Sequence, residues 1–440
     1  MRYLWLSGNP EEILLPCAFN LKAIAPSNMS SNPLQTPFEL PCGAVIKNRL
    51  VKAAMTERMG DQDMAPTEKL LRLYETWNRT GAGLLITGNV MVDTVHVESA
   101  GNVYLGDESI LPKLQQWAAA ATANHTHVWP QISHAGRQAT RFVARRPLAP
   151  SEVQLELLGL FGKPRAMTEA DIQDLIKRFV KAAVLCKKAG FTGIQFHSAH
   201  GYLLNQFLSP KTNHRTDQWG GSIENRSRLL RTIIEEARQA LGPEFPISVK
   251  LNSSDFQRGG FTEEESLQVI QMLEGKIDLL EISGGTYEEM VFFEINDDPA
   301  KTKESTRQRE AYFIEFSQKV RAVSQIPLLI TGGFRSADFC NQVLADGEVD
   351  LIGMARPFLT DLDDIPAFLE NKLDRLKNLS FRSGIKVFNS SSEAGFYTLQ
   401  MRRIANGKPA RLTGNALWTA SFYILYEMSL ALRKRRGKHG

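Results

Sequence analysis

A chain of 440 residues is long enough for one large domain or two, and its 43% hydrophobic share is ordinary for a soluble globular protein. A net charge of +4, with acidic and basic residues mixed and no basic block beside an RNA- or DNA-binding pattern, argues against nucleic acid as a partner. The four cysteines (Cys17, Cys42, Cys186 and Cys340) are scattered, without metal-ligand spacing or a disulfide framework, and no basic region followed by an apolar core opens the chain. A cytoplasmic, reducing compartment and no metal site are therefore expected.

Residues 1–33 read as an N-terminal extension ending in the turn-rich SSNP run. Pro41-Cys42-Gly43 marks a hairpin turn fit to cap the bottom of a barrel. Strands are then expected at 51–55, 83–91, 127–132, 192–196, 246–251, 277–283, 327–331 and 349–354, each a short apolar run. Helices are expected between them at 67–79, 110–124, 168–188, 222–240, 262–274 and 307–323, with a short one from 336 and a last stretch at 364–371. Thr168 with Asp171 marks a helix start in capping-box style. The loop 137–166, with Pro147, Pro150 and Pro164, is long enough to predict an active-site cover.

Eight strands alternating with helices predict an α/β fold, a (β/α)8 barrel over residues 34–375. An open, doubly wound sheet is the alternative from pattern alone, weakened because no GxGxxG follows the first strand. Residues 376–440 form a C-terminal helical extension, with helices near 393–408 and 416–432. The second is strongly apolar but short for a membrane span, and Arg433-Lys434-Arg435-Arg436 follows it. It is expected to pack on the body or a second subunit, with contact to a membrane surface as the alternative. Since the barrel count is complete before it, the tail is expected to be dispensable for cofactor binding.

Polar residues mass at the carboxyl end of the fourth strand: His197, His200 and Tyr202, in FTGIQFHSAHGYLLNQFLSPKTNHRTDQWGGSIENRSR. That is where a barrel carries its active site. Glycines close the late strands, with Ser283-Gly284-Gly285, Gly332-Gly333, and Gly353 with Arg356. In a barrel these late loops commonly cradle phosphate, because glycine lets backbone amides approach an anion. Lys250 ends the apolar run Ile247–Val249, which sets a fixed cation at a strand end inside the barrel rather than in solvent.

The stretch HSAHGYLLNQFLSPKTNHRTDQWGGSIENR closely resembles the signature of the Old Yellow Enzyme family of FMN-dependent ene-reductases, and further matches run from Leu34 to Phe358. The resemblance implies FMN as cofactor, with NADH or NADPH as electron donor. It implies Ala54, Met55 and Thr56 near the flavin's reactive edge, Gly88 beneath the ring, Gln131 on the pyrimidine edge and Lys250 beside the reduced ring. It implies Gly284, Gly332, Gly333, Gly353, Ala355 and Arg356 (TGGF and GMARPF) at the phosphate. His197 and His200 would clamp a substrate carbonyl, and Tyr202 would donate a proton. His134 and Arg137, in QISHAGR, match as well. The implied reaction is hydride transfer from NAD(P)H through FMN to the activated C=C bond of an α,β-unsaturated carbonyl compound. A flavin-dependent dehydrogenase or demethylase running in the oxidative direction, or an inactive barrel serving as a binding protein, are the alternatives. The absence of a cysteine cluster disfavours the multi-domain dienoyl reductases of the family. A small-molecule enone, and a homo-oligomer or a membrane surface met through the C-terminal helix, are the expected partners.

Overall fold

Short strands buried on both faces pair into a closed barrel. The computed structural model describes residues 32–437 apart from 158, 286–311, 378, 380 and 382–385. Residues 1–31 of the expected N-terminal extension and the start of the 307–323 helix therefore lie outside the described residues. Eight parallel strands pair in sequence: β1 (Leu50–Lys52), β2 (Leu84–Met91), β3 (His127–Ser133), β4 (Ile194–Ser198), β5 (Ile247–Asn252), β6 (Leu279–Ser283), β7 (Leu328–Thr331) and β8 (Leu351–Met354). β8 pairs back to β1, which also pairs with β2, so the sheet is closed. The open-sheet alternative is thereby excluded. Helices lie between the strands: α1 (Glu68–Asn78), α2 (Leu111–Thr122), α3 (Glu169–Ala189), α4 (Arg228–Leu241), α5 (Glu263–Leu273), α6 (312–321) and α7 (Ala337–Ala345). β1 is shorter than expected, because Ala54 to Thr56 leave the ladder to form a cavity wall.

Outward residues such as Leu50, Leu85, Val128, Phe196, Val249, Ile282, Ile330 and Ile352 pack under the helices. Each fully buried side chain of this kind stabilises the fold by roughly 1.5–3 kcal/mol. Inward residues separate into two layers. The lower is apolar, Val51, Leu84, Ile86, Trp129, Leu279, Leu329 and Leu351, and it is plugged by Leu40 and Ile46 of the expected hairpin (Phe38–Glu39 with Val45–Ile46). Gly43 turns that hairpin at φ +84°. The upper layer is polar and carries the site. α3 begins at the expected capping box, where Thr168 accepts from the Asp171 amide and the Asp171 carboxylate accepts from that of Thr168, and it ends at Gly190 in the left-handed region.

After β8 come two short helices, Pro357–Thr360 and Ile365–Leu369, then α8 (Lys386–Ala405) and α9 (Ala416–Gly437). These two pack on each other, and Gly395 lets the Thr419 carbonyl approach to where a Cβ would stand at 2.0 Å. α9 also packs on the barrel mouth, burying Ala420, Tyr426, Leu430 and Ala431. Its opposite face leaves Leu417, Trp418, Ile424, Leu425, Met428 and Leu432 exposed. Among the described residues no helix is long and apolar enough to cross a membrane.

Candidate active site

A cavity of about 200 Å³ opens at the carboxyl end of the barrel. Its walls are Ala54, Met55 and Thr56 after β1, Gln131 of β3, His197 of β4 with His200 and Tyr202 beyond it, and Lys250 of β5. These are residues singled out from the sequence, gathered from four strand ends. Asn89 of β2 joins them without having been singled out, and Gly285 of the Ser283-Gly284-Gly285 cluster completes the wall. Asn89 follows a register irregularity in β2, between Ile86 and Asn89, that re-aims its side chain. No sequence signal marks that irregularity.

Gly88 does not line the cavity wall. Its amide donates to Glu57 at 2.9 Å, and a Cβ there would meet the Met55 carbonyl at 2.3 Å. Glycine is required so that the 55–57 backbone can lie against β2. Gly332, Gly333, Gly353, Ala355 and Arg356 sit at the adjoining ends of β7 and β8, beside rather than within the cavity. Gly353 has no room for a side chain, since a Cβ would stand 2.1 Å from Thr331 Oγ1. That buried hydroxyl has no partner among the described residues. Arg356 lies 3.1 Å from Glu393 of α8 and packs over the Tyr397 ring. Gly284, between Ser283 and Gly285, is buried at the end of β6.

The chain turns sharply after β4 because His200 and Gly201 are both left-handed, at φ +59° and +75°. The turn brings the Tyr202 ring back to 4.8 Å from the His197 ring, while the His197 and His200 rings meet edge-on at 5.3 Å. His197 Nδ1 accepts from the Ala199 amide at 3.3 Å, so in the neutral ring Nε2 carries the proton. His200 Nε2 is 2.6 Å from Ser283 Oγ, which leaves Nδ1 for any other partner. Burial, and then the neighbouring His200 and Lys250, hold His197 well below the usual imidazole range. Burial and Lys250 push His200 down to about 3.

His134 stands apart from the cavity. Its Nδ1 accepts from the Gly136 amide at 3.0 Å, its ring stacks on His96, and burial pushes it down to about 3. Its carbonyl accepts from the Leu203 amide, which anchors the turn carrying Tyr202. Arg137 is also buried, with its backbone amide donating to Gln206. Asp93, His96 and His134 place three donor atoms within 4.8 Å of one another. However, Arg178 already lies 3.3 Å from the Asp93 carboxylate, and the His134 nitrogen that accepts an N–H leaves the ring's proton on the other. A metal-bound histidine instead donates through its second nitrogen. In this arrangement the three side chains form a hydrogen-bonded brace.

Three histidines held neutral by burial give a pH dependence with a definite sign. Their folded values lie below the unfolded reference near 6.5, so their contribution to stability is complete above that pH and declines as pH falls. Each is expected to cost about 1.4 kcal/mol per pH unit below it. Urea midpoints should stay nearly level from pH 7.5 to about 6.5 and fall from there to pH 5.5, and midpoints constant over the whole range would show that the rings are solvated.

Three comparisons bear on this geometry. The chain is 35% identical over 344 residues to the NADH-dependent flavin oxidoreductase iliE of Neonectria sp. (strain DH2), covering 73% of this chain but 45% of that protein. It is 38% identical over 330 residues to the NADH-dependent flavin oxidoreductase nadA of Aspergillus parasiticus, covering 71% of this chain and 72% of the relative. The chain therefore spans less than half the length of the first of these relatives. The structure of the old yellow enzyme homologue from Zymomonas mobilis superposes with a TM-score of 0.67 at 26% identity, over 79% of this chain and 94% of that one. Residues 33–374 match the NADH:flavin oxidoreductase / NADH oxidase family. With that match spanning the whole barrel, the chain belongs to this family of FMN-dependent, Old Yellow Enzyme-type oxidoreductases.

Proposed function

We propose that this protein takes hydride from NADH or NADPH through FMN and delivers it to the activated C=C bond of an α,β-unsaturated carbonyl compound. The observation that carries the reading is the meeting of His197, His200 and Tyr202 with Gln131 and Lys250 across one cavity. The residues present fit FMN. Gln131 and Lys250 offer an amide and a cation to the ring, and the unpartnered Thr331 hydroxyl with the φ of Gly332 (+130°) and Gly333 (+80°) makes an open cradle beside it. Arg356 would reach a phosphate there, with Glu393 competing for it. Bound FMN supplies hydride acceptance and donation.

The side chains do the rest. His197 and His200, both neutral, donate to a substrate carbonyl oxygen without protonating it outright. Their hydrogen bonds strengthen as negative charge builds on that oxygen, which lowers the barrier to hydride arrival at the β carbon. Tyr202 supplies the proton for the α carbon. Dehydrogenation or demethylation in the oxidative direction would use the same residues, and a binding barrel would keep the cavity without turnover. The exposed stripe of α9 supports contact with a second copy of the chain or a membrane surface. Sedimentation with and without anionic vesicles separates those two.

The purified protein is expected to be yellow, with FMN released on denaturation, and to bleach anaerobically with NADH or NADPH and recover its colour with cyclohexenone. No flavin, even after reconstitution, would end this reading. Bleaching without recovery by any enone would leave the oxidative direction. His197→Ala and His200→Ala are each expected to weaken phenol binding by about tenfold, the loss of one hydrogen bond, while FMN stays bound. Phenol titrated against the long-wavelength flavin band reads this, and an unchanged dissociation constant in both variants would remove the pair from the clamp.

A further inference from the structure

Lys250 does not stand alone. In register with it on β6 is Glu281, a carboxylate with no solvent exposure, whose Oε1 lies 2.8 Å from Lys250 Nζ. The other oxygen, Oε2, accepts from Gln195 Nε2 at 2.8 Å. Gln195 Oε1 in turn accepts from Gln131 Nε2 at 2.7 Å. Glu281 and Gln195 are fully buried and do not line the cavity, yet they link the two cavity residues that offer a cation and an amide.

The chain of bonds has a fixed polarity, and the carboxylate sets it. A carboxylate can only accept, so Gln195 must turn its NH2 toward Glu281 and its carbonyl toward Gln131. Gln131 must then spend an N–H on Gln195, which leaves its own carbonyl for the cavity. The same carboxylate balances the charge of Lys250. A buried counter-ion this close strongly reduces the field that a cation exerts on its surroundings.

We propose that Glu281 is a positioning residue that sets the flavin's reduction potential, by partly neutralising Lys250 and by orienting the Gln131 amide through Gln195. This rests on the reading that FMN occupies the cavity. Reduced flavin is anionic, so Lys250 favours the reduced form, and Glu281 opposes that preference. The arrangement keeps the reduced ring a ready hydride donor, where an unbalanced lysine would over-stabilise it.

The test is the midpoint potential of the FMN holoprotein, measured by anaerobic dye equilibration. Glu281→Gln keeps the shape and removes the charge. It is expected to favour reduced over oxidised flavin by about tenfold relative to wild type, an upward shift of about 30 mV for a two-electron couple. Glu281→Asp keeps the charge a methylene further away and should shift the potential upward by less. Lys250→Met should shift it downward. A wild-type potential in both Glu281 variants, with only their melting points lowered, would make Glu281 a structural residue and overturn the proposal. If Glu281→Gln does not fold, Glu281→Asp decides alone: an upward shift supports the proposal, and an unchanged or lowered potential overturns it. A wild-type protein that binds no FMN would be seen before any variant is made, and would end the functional reading instead.

Discussion

Tyr202→Phe is expected to slow reoxidation of the reduced flavin by an enone by roughly 10²–10⁴-fold, the contribution of a positioned general acid. Reduction by NADH or NADPH should change little, because that half-reaction needs no proton at the substrate carbon. The tyrosine is buried, stands over His197, and is walled by Ala135, Ala139 and Ala144 of the loop after β3. Ala139 and Ala144 of that wall come from the 137–166 stretch expected as a cover. A proton delivered from the face opposite the flavin gives net anti addition across the double bond. Stopped-flow measurement of the two half-reactions separates the roles. Equal slowing of both would make Tyr202 structural, and no slowing of either would assign the proton to water or another side chain.

Deleting residues 412–440 is expected to weaken FMN binding by tenfold or more and to lower the melting point, the reverse of what the completed barrel count implies. The reason is Arg58, two residues past the cavity-lining Thr56 and held in the left-handed region at φ +57°. Its guanidinium lies 2.6 Å from Glu427 of α9 and 2.5 Å from Glu98, and it donates to the Tyr423 hydroxyl at 3.1 Å and to the Thr56 carbonyl at 3.2 Å. Its own carbonyl accepts from the Tyr426 hydroxyl at 2.7 Å. Burial raises the Glu427 carboxyl and Arg58 lowers it, so each group compensates the other's burial. Removing Glu427, whose side chain is a quarter exposed, leaves Arg58 paired with Glu98 and is expected to cost about 1–3 kcal/mol. The loss falls on the segment that walls the cavity. Glu427→Gln is the milder probe and should shift FMN affinity in the same direction. A truncated chain that binds FMN as tightly as the full one would show that the barrel alone fixes residues 54–58.

Much of this was legible in the sequence. Apolar runs of four to eight residues between helical segments are enough to predict a parallel α/β sheet, since a strand buried on both faces has little other composition available, and their number, eight, favours the barrel over an open sheet. The Thr168–Asp171 cap and the Pro41–Gly43 turn are local chemistry, settled within a few residues. His197, His200 and Tyr202 lie within six positions of one another, so their convergence needs only one strand end and one turn.

The tertiary structure decided what depends on distant partners. Asn89 is one polar residue in an apolar run until β2 is seen to slip and the asparagine lines the cavity. Arg356 reads as a free phosphate donor until α8 brings Glu393 beside it. Glu281 is one acid in an apolar run, and only the β5–β6 register sets it against Lys250. The apolar helix at the C-terminus carries no mark of which face is covered, because burial of one face on the barrel is decided by Arg58, Glu98 and Ser99, more than three hundred positions away. Sequence fixes contacts whose partners are a turn or a strand apart. Contacts that pair side chains across the barrel mouth depend on how the closed sheet positions its ends, and no local pattern encodes that.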